Sequence, residues 1–275
     1  MKFSVLMSIY SKDQADFFNQ AMSSISSQQS LSADEIILVQ DGVLTQDLYN
    51  AISAWQSTLK SVLKTVVLPQ NVGLGDALKI GLEHCSYEII ARMDADDIAY
   101  PNRFERQIKY MQDHPDCDIV GSAVAEFYDN PEVIVSSRIV PLTQCDIVSG
   151  AQLKNPFNHV SVMYKKSAII AAGGYQKIHG FEDYYLWVRL IMNGANCANI
   201  SDALVNVRTG YAMVGRRGGA GYAINEIKLQ YKFLSIGFIS FFVFIRNLAI
   251  RIPVRLLPNK IRCFVYNFII RKLSH

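Results

Sequence analysis

"IIARMDADDIAYPNRFERQ", residues 89–107, turns abruptly from an apolar run into three carboxylates within four positions, then into a helix-like stretch. Apolar residues that stop at an acidic cluster read as a buried strand reaching the edge of a sheet. Side chains two apart on a strand point the same way, so Asp94 and Asp96 are expected to converge while Asp97 turns aside. Carboxylates this close repel one another, which leaves three readings: a solvated turn, a cation site, or a proton-handling pair. A D-x-D standing alone is as well explained by a polar turn. Its spacing does not fit a calcium loop, because Ala99 stands where that loop needs glycine.

The flanking sequence repeats the strand-then-loop pattern. "FSVLMSIYS" (3–11), "DEIILVQDG" (34–42), "KTVVLP" (64–69) and "YEIIARMD" (87–94) read as strands. Between them lie helical stretches, the first with Phe17, Phe18, Ala21, Met22 and Ile25 on one face. Alternation of this kind predicts a mixed, mostly parallel α/β sheet flanked by helices. Ligands then collect at the carboxyl ends of the strands, where Tyr10, Asp41, Asn71 and Asp94–Asp97 all lie. "NVGLGDALKIGLEHC" is not G-x-G-x-x-G, which disfavours a dinucleotide fold. Further on, "PNRFERQIKYMQDHP" reads as a helix and "CDIVGSAVAEFYD" as a strand. "NPFNHVSVMYKKSAIIAAGGY" reads as loop, strand and short helix, and "GFEDYYLWVRLIMNGA" as a helix with acids at its start.

Composition narrows the classes. At 275 residues, half of them hydrophobic, the chain holds one large domain or one domain with an appendage. Its five cysteines lack C-x-x-C spacing, which argues against a disulfide framework or a zinc site. "MKFSVLMSIYSK" opens like a strand rather than an export signal. All 24 acidic residues lie at or before Glu226, with 18 of the 27 basic ones; the other nine follow. An acidic body of residues 1–225 and a basic tail of residues 226–275 are therefore expected to face different surroundings.

The series "SIYSKD", "EIILVQDG", "QNVGLGDALKIGLEHC", "ARMDADDIAYPNRFERQ", "CDIVG", "NPFNHVSVMYKKSAIIAAGGY" and "FEDYYLWVRLIMNGA" resembles the family 2 glycosyltransferases with the GT-A fold. The resemblance is to bacterial enzymes of O-antigen, capsule or exopolysaccharide assembly, in the family's motif order over residues 3 to about 210. It implies that Tyr10 stacks on uracil and that Asp41 accepts a hydrogen bond from the base. Asn71, Gly73 and Gly75 match the loop beside base and ribose. Arg92 would pair with the neighbouring carboxylates or with phosphate. Asp94 would lie near ribose or metal, and Asp96 would bind Mn²⁺ or Mg²⁺ directly, against the donor diphosphate. Asp183 would be the base that takes the acceptor hydroxyl's proton, with Glu182 beside it. His159 would orient phosphate or acceptor, Trp187 would form an acceptor platform, and Arg216 and Arg217 would close over the diphosphate. Read without the resemblance, several of these residues have plainer roles. Tyr10 and Trp187 suit a core, Asp41 a turn, His159 a satisfied structural histidine, and acids at residues 182–183 the helix dipole.

The tail interleaves cations with Leu, Ile, Phe and Tyr. Its apolar run at 233–245 is 13 residues long, shorter than the roughly 20 that span a bilayer. An amphipathic helix at an anionic lipid surface fits this pattern, as does a helix pair packed on the domain. No nucleic-acid motif accompanies the basic tail. The resemblance thus implies an inverting hexosyltransferase on the inner face of the bacterial cytoplasmic membrane. It would use a nucleotide-diphosphate sugar, UDP-linked by expectation, and an undecaprenyl-diphosphate-linked saccharide acceptor. A sugar nucleotidyltransferase and a non-catalytic membrane-bound assembly subunit are the alternatives.

Overall fold

The computed structural model describes residues 1–210, 218–258 and 261–262. Four strands, β1 (Phe3–Ile9), β2 (Glu35–Gln40), β3 (Leu63–Val67) and β4 (Ile89–Met93), pair in parallel in the order β3-β2-β1-β4. Each is shorter than the sequence suggests: the polar ends expected for β1, β2 and β4 belong to loops, and β3 stops before Leu68-Pro69. Every residue of β2 and β4 is buried. Covered on both faces, such strands are apolar through most of their length, and the buried exceptions Glu35, Gln40 and Arg92 sit at or near their ends. The crossovers are α1 (Ala15–Ile25), α2 (Gln46–Leu59) and α3 (Leu74–His84). Phe18, Ala21, Met22 and Ile25 are buried as the helical period demands, with Phe17 only half-buried.

The rest of the sheet is mixed. It is built from β5 (Ile98–Ala99), α4 (Arg103–Asp113), β6 (Ile119–Phe127), β7 (Ile134–Arg138), α5 (Gln144–Gly150), β8 (Met163–Lys165), α6 (Lys166–Ala171), α7 (Glu182–Met192) and β9 (Cys197–Arg208). The order continues from β4 as β8-β6-β9-β5, with β7 added to β6. Only β6/β9 is parallel here; β4/β8, β6/β8, β6/β7 and β5/β9 are antiparallel. The 12-residue β9 brings its last turn back to β5, pairing Ile98 with Asn206, beside the acidic cluster. One apolar layer packs α1, α2 and α4 on the sheet through Phe18, Met22, Ile52, Phe104 and Ile108. The opposite layer carries α3, α6 and α7 through Leu78, Leu82, Ile169, Leu186 and Trp187.

The tail folds into α8 (Ala220–Ser235) and α9 (Phe241–Leu256), separated by a turn at Gly237, so the apolar run at 233–245 is not one helix. Leu229, Phe233 and Ile239 pack against Tyr184, Tyr185 and Val188 of α7. Glu226, wholly buried, pairs with Arg251 and Arg255 of α9, each at 2.9 Å. The 225/226 position therefore lies inside α8. No helix among the described residues is long and apolar enough to cross a membrane.

Candidate active site

Because β4 ends at Met93, strand alternation does not extend over the carboxylates that follow. Asp94, Asp96 and Asp97 lie in a turn and each offers an oxygen within 4.8 Å of the others. Asp97 thus joins the cluster instead of turning aside as strand geometry predicts. It is buried and accepts the backbone N–H of Arg208 at 2.7 Å. Burial, then the charge of Asp94, push the Asp96 carboxyl up to about 6, against the opposing pull of Arg92 and Arg208. Burial and the charges of Asp94 and Asp96 raise Asp97 well above the usual carboxylate range. A donor set of three carboxylates that disfavour one another's ionisation is the arrangement a hard divalent cation relieves.

The turn is braced from behind. The buried Arg92 forms an ion pair with Asp94, while its Nε and Nη1 find no partner among the described residues. Arg103, buried at the start of α4, donates to the carbonyl of Arg92 at 2.7 Å and to Gln107 at 3.1 Å. Gln107 in turn donates to the carbonyls of Val120 at 3.1 Å and Ser161 at 2.8 Å. Sequence reading assigned no role to Arg103 or Gln107; their only signal is a charged and a polar residue on the face of α4 that also carries Phe104, Ile108 and Met111.

At the carboxyl ends of β1 and β2, the Asp41 carboxylate is engaged with the neighbouring loop that follows β3. It accepts from Asn71 Nδ2 at 2.9 Å, Val72 N at 2.7 Å and Gly73 N at 3.0 Å. Gly42, at φ +87°, must be glycine: a Cβ would stand 2.6 Å from the Asn71 nitrogen. Asp41, on the loop after β2, thus ties itself to the Asn71–Gly73 loop that opens α3, with the half-buried Tyr10 at the end of β1.

Across the sheet edge, Glu182 and Asp183 open α7. Burial, then the neighbouring Asp183, raise Glu182 above its ordinary range. Gly75 of α3 clears the space for Glu182, since a Cβ there would meet Glu182 Cγ at 2.7 Å. Asp183 accepts a hydrogen bond from Asn155 Nδ2 at 2.7 Å. His159 shares a hydrogen bond with Tyr175 Oη at 3.0 Å, and burial, then Arg92, pull its imidazole well below its usual range. Trp187 is not an acceptor platform. It is fully buried, edge-on to Phe157 and His159, because its position on α7 faces the sheet.

A single cleft of about 830 Å³ joins these groups. Its lining includes Arg92, Asp94, Asp96, Asp97 and Arg208 on one side, and Asn155, His159, Glu182 and Asp183 on the other. Leu74 lines it, whereas Tyr10, Asp41, Asn71 and Gly73 lie outside that lining. Arg216 and Arg217 fall outside the described residues.

The model of glycosyl transferase family 2 matches residues 4–178, and the chain belongs to that family. It is a glycosyltransferase with the GT-A fold. The amylovoran biosynthesis glycosyltransferase AmsE of Erwinia amylovora is 40% identical over 264 residues, 96% of this chain and 97% of that one. The UDP-Gal:alpha-D-GlcNAc-diphosphoundecaprenol beta-1,3-galactosyltransferase of Escherichia coli is 40% identical over 271 residues, 98% of this chain and 97% of its own. Among solved structures, the mannosyltransferase PcManGT from Pyrobaculum calidifontis, in complex with GDP-Man and Mn²⁺, superimposes with a TM-score of 0.66. It is 17% identical, and the match covers 98% of this chain and 75% of that one.

Proposed function

We propose that the protein transfers a hexose, with inversion and with a divalent cation, from a UDP-sugar to an undecaprenyl-diphosphate-linked saccharide in surface polysaccharide assembly. The observation that carries this reading is the meeting, in one cleft, of the Asp94–Asp96–Asp97 cluster with Asp183. Asp96 and Asp94 would hold Mn²⁺ or Mg²⁺, whose Lewis acidity offsets the charge that develops on the departing diphosphate. Arg92, with two nitrogens unpartnered among the described residues, suits a phosphate oxygen at the same place. The loop held by Asp41, with Tyr10 beside it, is the proposed seat of base and ribose. Asp183 accepts the proton of the acceptor hydroxyl as that oxygen bonds to C1, while the bond from C1 to the diphosphate oxygen breaks. Glu182 stands next to it, and His159, neutral at physiological pH, is offered as an acceptor contact.

The tail supports the choice of acceptor. Phe241, Phe242, Ile245 and Ile250 of α9 are exposed, Phe242 by 83%, and Arg246 lies among them. Apolar side chains beside a cation suit an anionic lipid surface. We assign the exposed side of α9 to a surface that meets the cytoplasmic membrane face, where a lipid-linked acceptor resides, while α8 packs on the transferase body. The Escherichia coli relative, which takes UDP-Gal and a GlcNAc-diphosphoundecaprenol, supports both substrates.

The test is a donor screen with purified protein, Mn²⁺ and a synthetic GlcNAc-diphospho-lipid, followed by NMR of the new linkage. A β-linked product from an α-linked UDP-sugar is expected. Retention at C1, or transfer of a nucleotidyl group instead of a glycosyl group, would overturn the reading.

A further inference from the structure

Residues 151–155 follow α5 and carry Asn155 into the cleft. Asn155 can present only one group to Asp183. Its Oδ1 accepts the Phe157 N–H at 3.2 Å, so the amide is turned with Nδ2 toward the Asp183 carboxylate, 2.7 Å away. Carbonyls at the end of a helix lack intrahelical partners. Backbone N–H groups of 151–154 already satisfy the last carbonyls of α5, and beyond the helix the three consecutive carbonyls of 151–153 are met by side chains. Tyr184 Oη donates to the Ala151 carbonyl at 2.6 Å, Asn247 Nδ2 to Gln152 at 2.9 Å, and Arg251 to Leu153. Two of these three donors belong to α9. Both are fixed deep in the tail: Asn247 also donates to Gln230 at 2.9 Å, and Arg251 pairs with the buried Glu226.

We propose that α9 is a positioning element of the active site: Asn247 and Arg251 hold the 151–155 loop, and Asn155 on that loop aims the Asp183 carboxylate at the acceptor hydroxyl. This rests on the reading of Asp183 as the base. A carboxylate free to rotate offers its lone pair to the acceptor only part of the time, and misplacement by about 1 Å can cost on the order of 10²-fold in rate. The tail helix that presents apolar side chains for a lipid surface thus also sets the group that activates the lipid-linked acceptor. The hydrogen bonds of Asn155, Asn247 and Arg251 go to Asp183, the 151–155 loop and the tail rather than to the Asp94–Asp97 turn, so their loss should appear in kcat and leave the donor KM in place.

A double-mutant cycle on the full chain tests this. Asn155→Ala is expected to lower kcat roughly 10–100-fold. Asn247→Leu is expected to lower it by a smaller factor with the same donor KM. In the double variant the second substitution should add nothing, because the tail acts through Asn155. Multiplicative losses would show that Asn247 acts by another route and overturn the proposal, as would wild-type kcat in Asn155→Ala. If Asn247→Leu does not fold, Arg251→Met takes its place in the same cycle. Asp183→Asn is run alongside. Full activity there removes the base assignment itself, whereas an inactive Asp183→Asn beside an unaffected Asn155→Ala removes only the present proposal.

Discussion

Replacing Glu226 by Gln should loosen the tail from the catalytic body, and the structure sets the size of the effect. The carboxylate is wholly buried between Arg251 at 2.9 Å and Arg255 at 2.9 Å, whose side chains are 17% and 10% exposed. Gln keeps the shape and one acceptor oxygen but removes the charge, leaving two guanidinium groups in a poorly hydrated site. Removing one partner of a buried pair costs about 3–5 kcal/mol, and the surviving acceptor argues for the lower end, about 3 kcal/mol. For a domain of this size each kcal/mol shifts Tm by roughly 2–4 °C, so a loss of roughly 6–12 °C is expected. Circular dichroism melts of wild type and Glu226→Gln, at matched pH and salt, measure it. The triple variant Glu226→Met/Arg251→Met/Arg255→Leu should recover part of the loss, because apolar replacement of a whole buried ion cluster is often neutral or stabilising. A Tm for Glu226→Gln within about 2 °C of wild type would refute the docking of α8 and α9 as described, since a well-solvated pair contributes only about 0–1 kcal/mol.

Other consequences can be measured separately. Asp183→Asn should reduce kcat by roughly 10²–10⁴-fold with little change in donor KM, the usual contribution of a general base; steady-state kinetics check it. Gly75→Ala puts a Cβ 2.7 Å from Glu182 Cγ and 3.3 Å from its Cβ, so the root of that side chain must shift. Turnover should fall by about tenfold, with an overpacking cost of about 1–3 kcal/mol read as a lower Tm. Glu35 gives a pH signature. Burial opposes its ionisation, but hydrogen bonds from Lys64, Ser4 and Ser86 outweigh it and hold the carboxyl down at about 2. A folded pKa below the unfolded value of about 4.3 means stability that is present above that pH and lost as pH falls toward 2, about 3 kcal/mol in all. Urea unfolding should therefore show Glu35→Gln less stable than wild type at pH 7, with the gap closing between about pH 5 and 2.

The parallel half of the sheet was legible because strands buried on both faces leave nearly continuous apolar runs, and Phe18, Met22 and Ile25 mark the helical period of α1. The mixed half was harder to read. β9 holds Ser201 and Asp202 at its middle, exposed where its register shifts against β6, so it lacks an apolar run. β5 is two residues long and exists only through its pairing with β9. Asp94, Asp96, Glu182 and Asp183 could be placed at loop and helix starts from sequence. Asp97 could not, because its direction depends on β4 ending at Met93 and on the Arg208 N–H arriving from 111 residues away. Trp187 shows the same limit: its face on α7 is settled by the sheet beneath it, not by the residue type. Asn155 stood in the quoted "NPFNHVSV" motif, but its bond to Asp183 joins residues 28 apart across a loop with no periodicity.

On the proposed function, the Asp94–Asp96–Asp97 turn holds a divalent cation that in turn holds the donor diphosphate. Calorimetric titration of UDP into the protein, with Mn²⁺ or with EDTA, in wild type and Asp96→Asn, addresses it most directly. UDP is expected to bind wild type at least tenfold more tightly with Mn²⁺ than with EDTA, and Asp96→Asn should lose that difference. Equal UDP affinity in Mn²⁺ and EDTA, together with undiminished glycosyl transfer in EDTA, would contradict it.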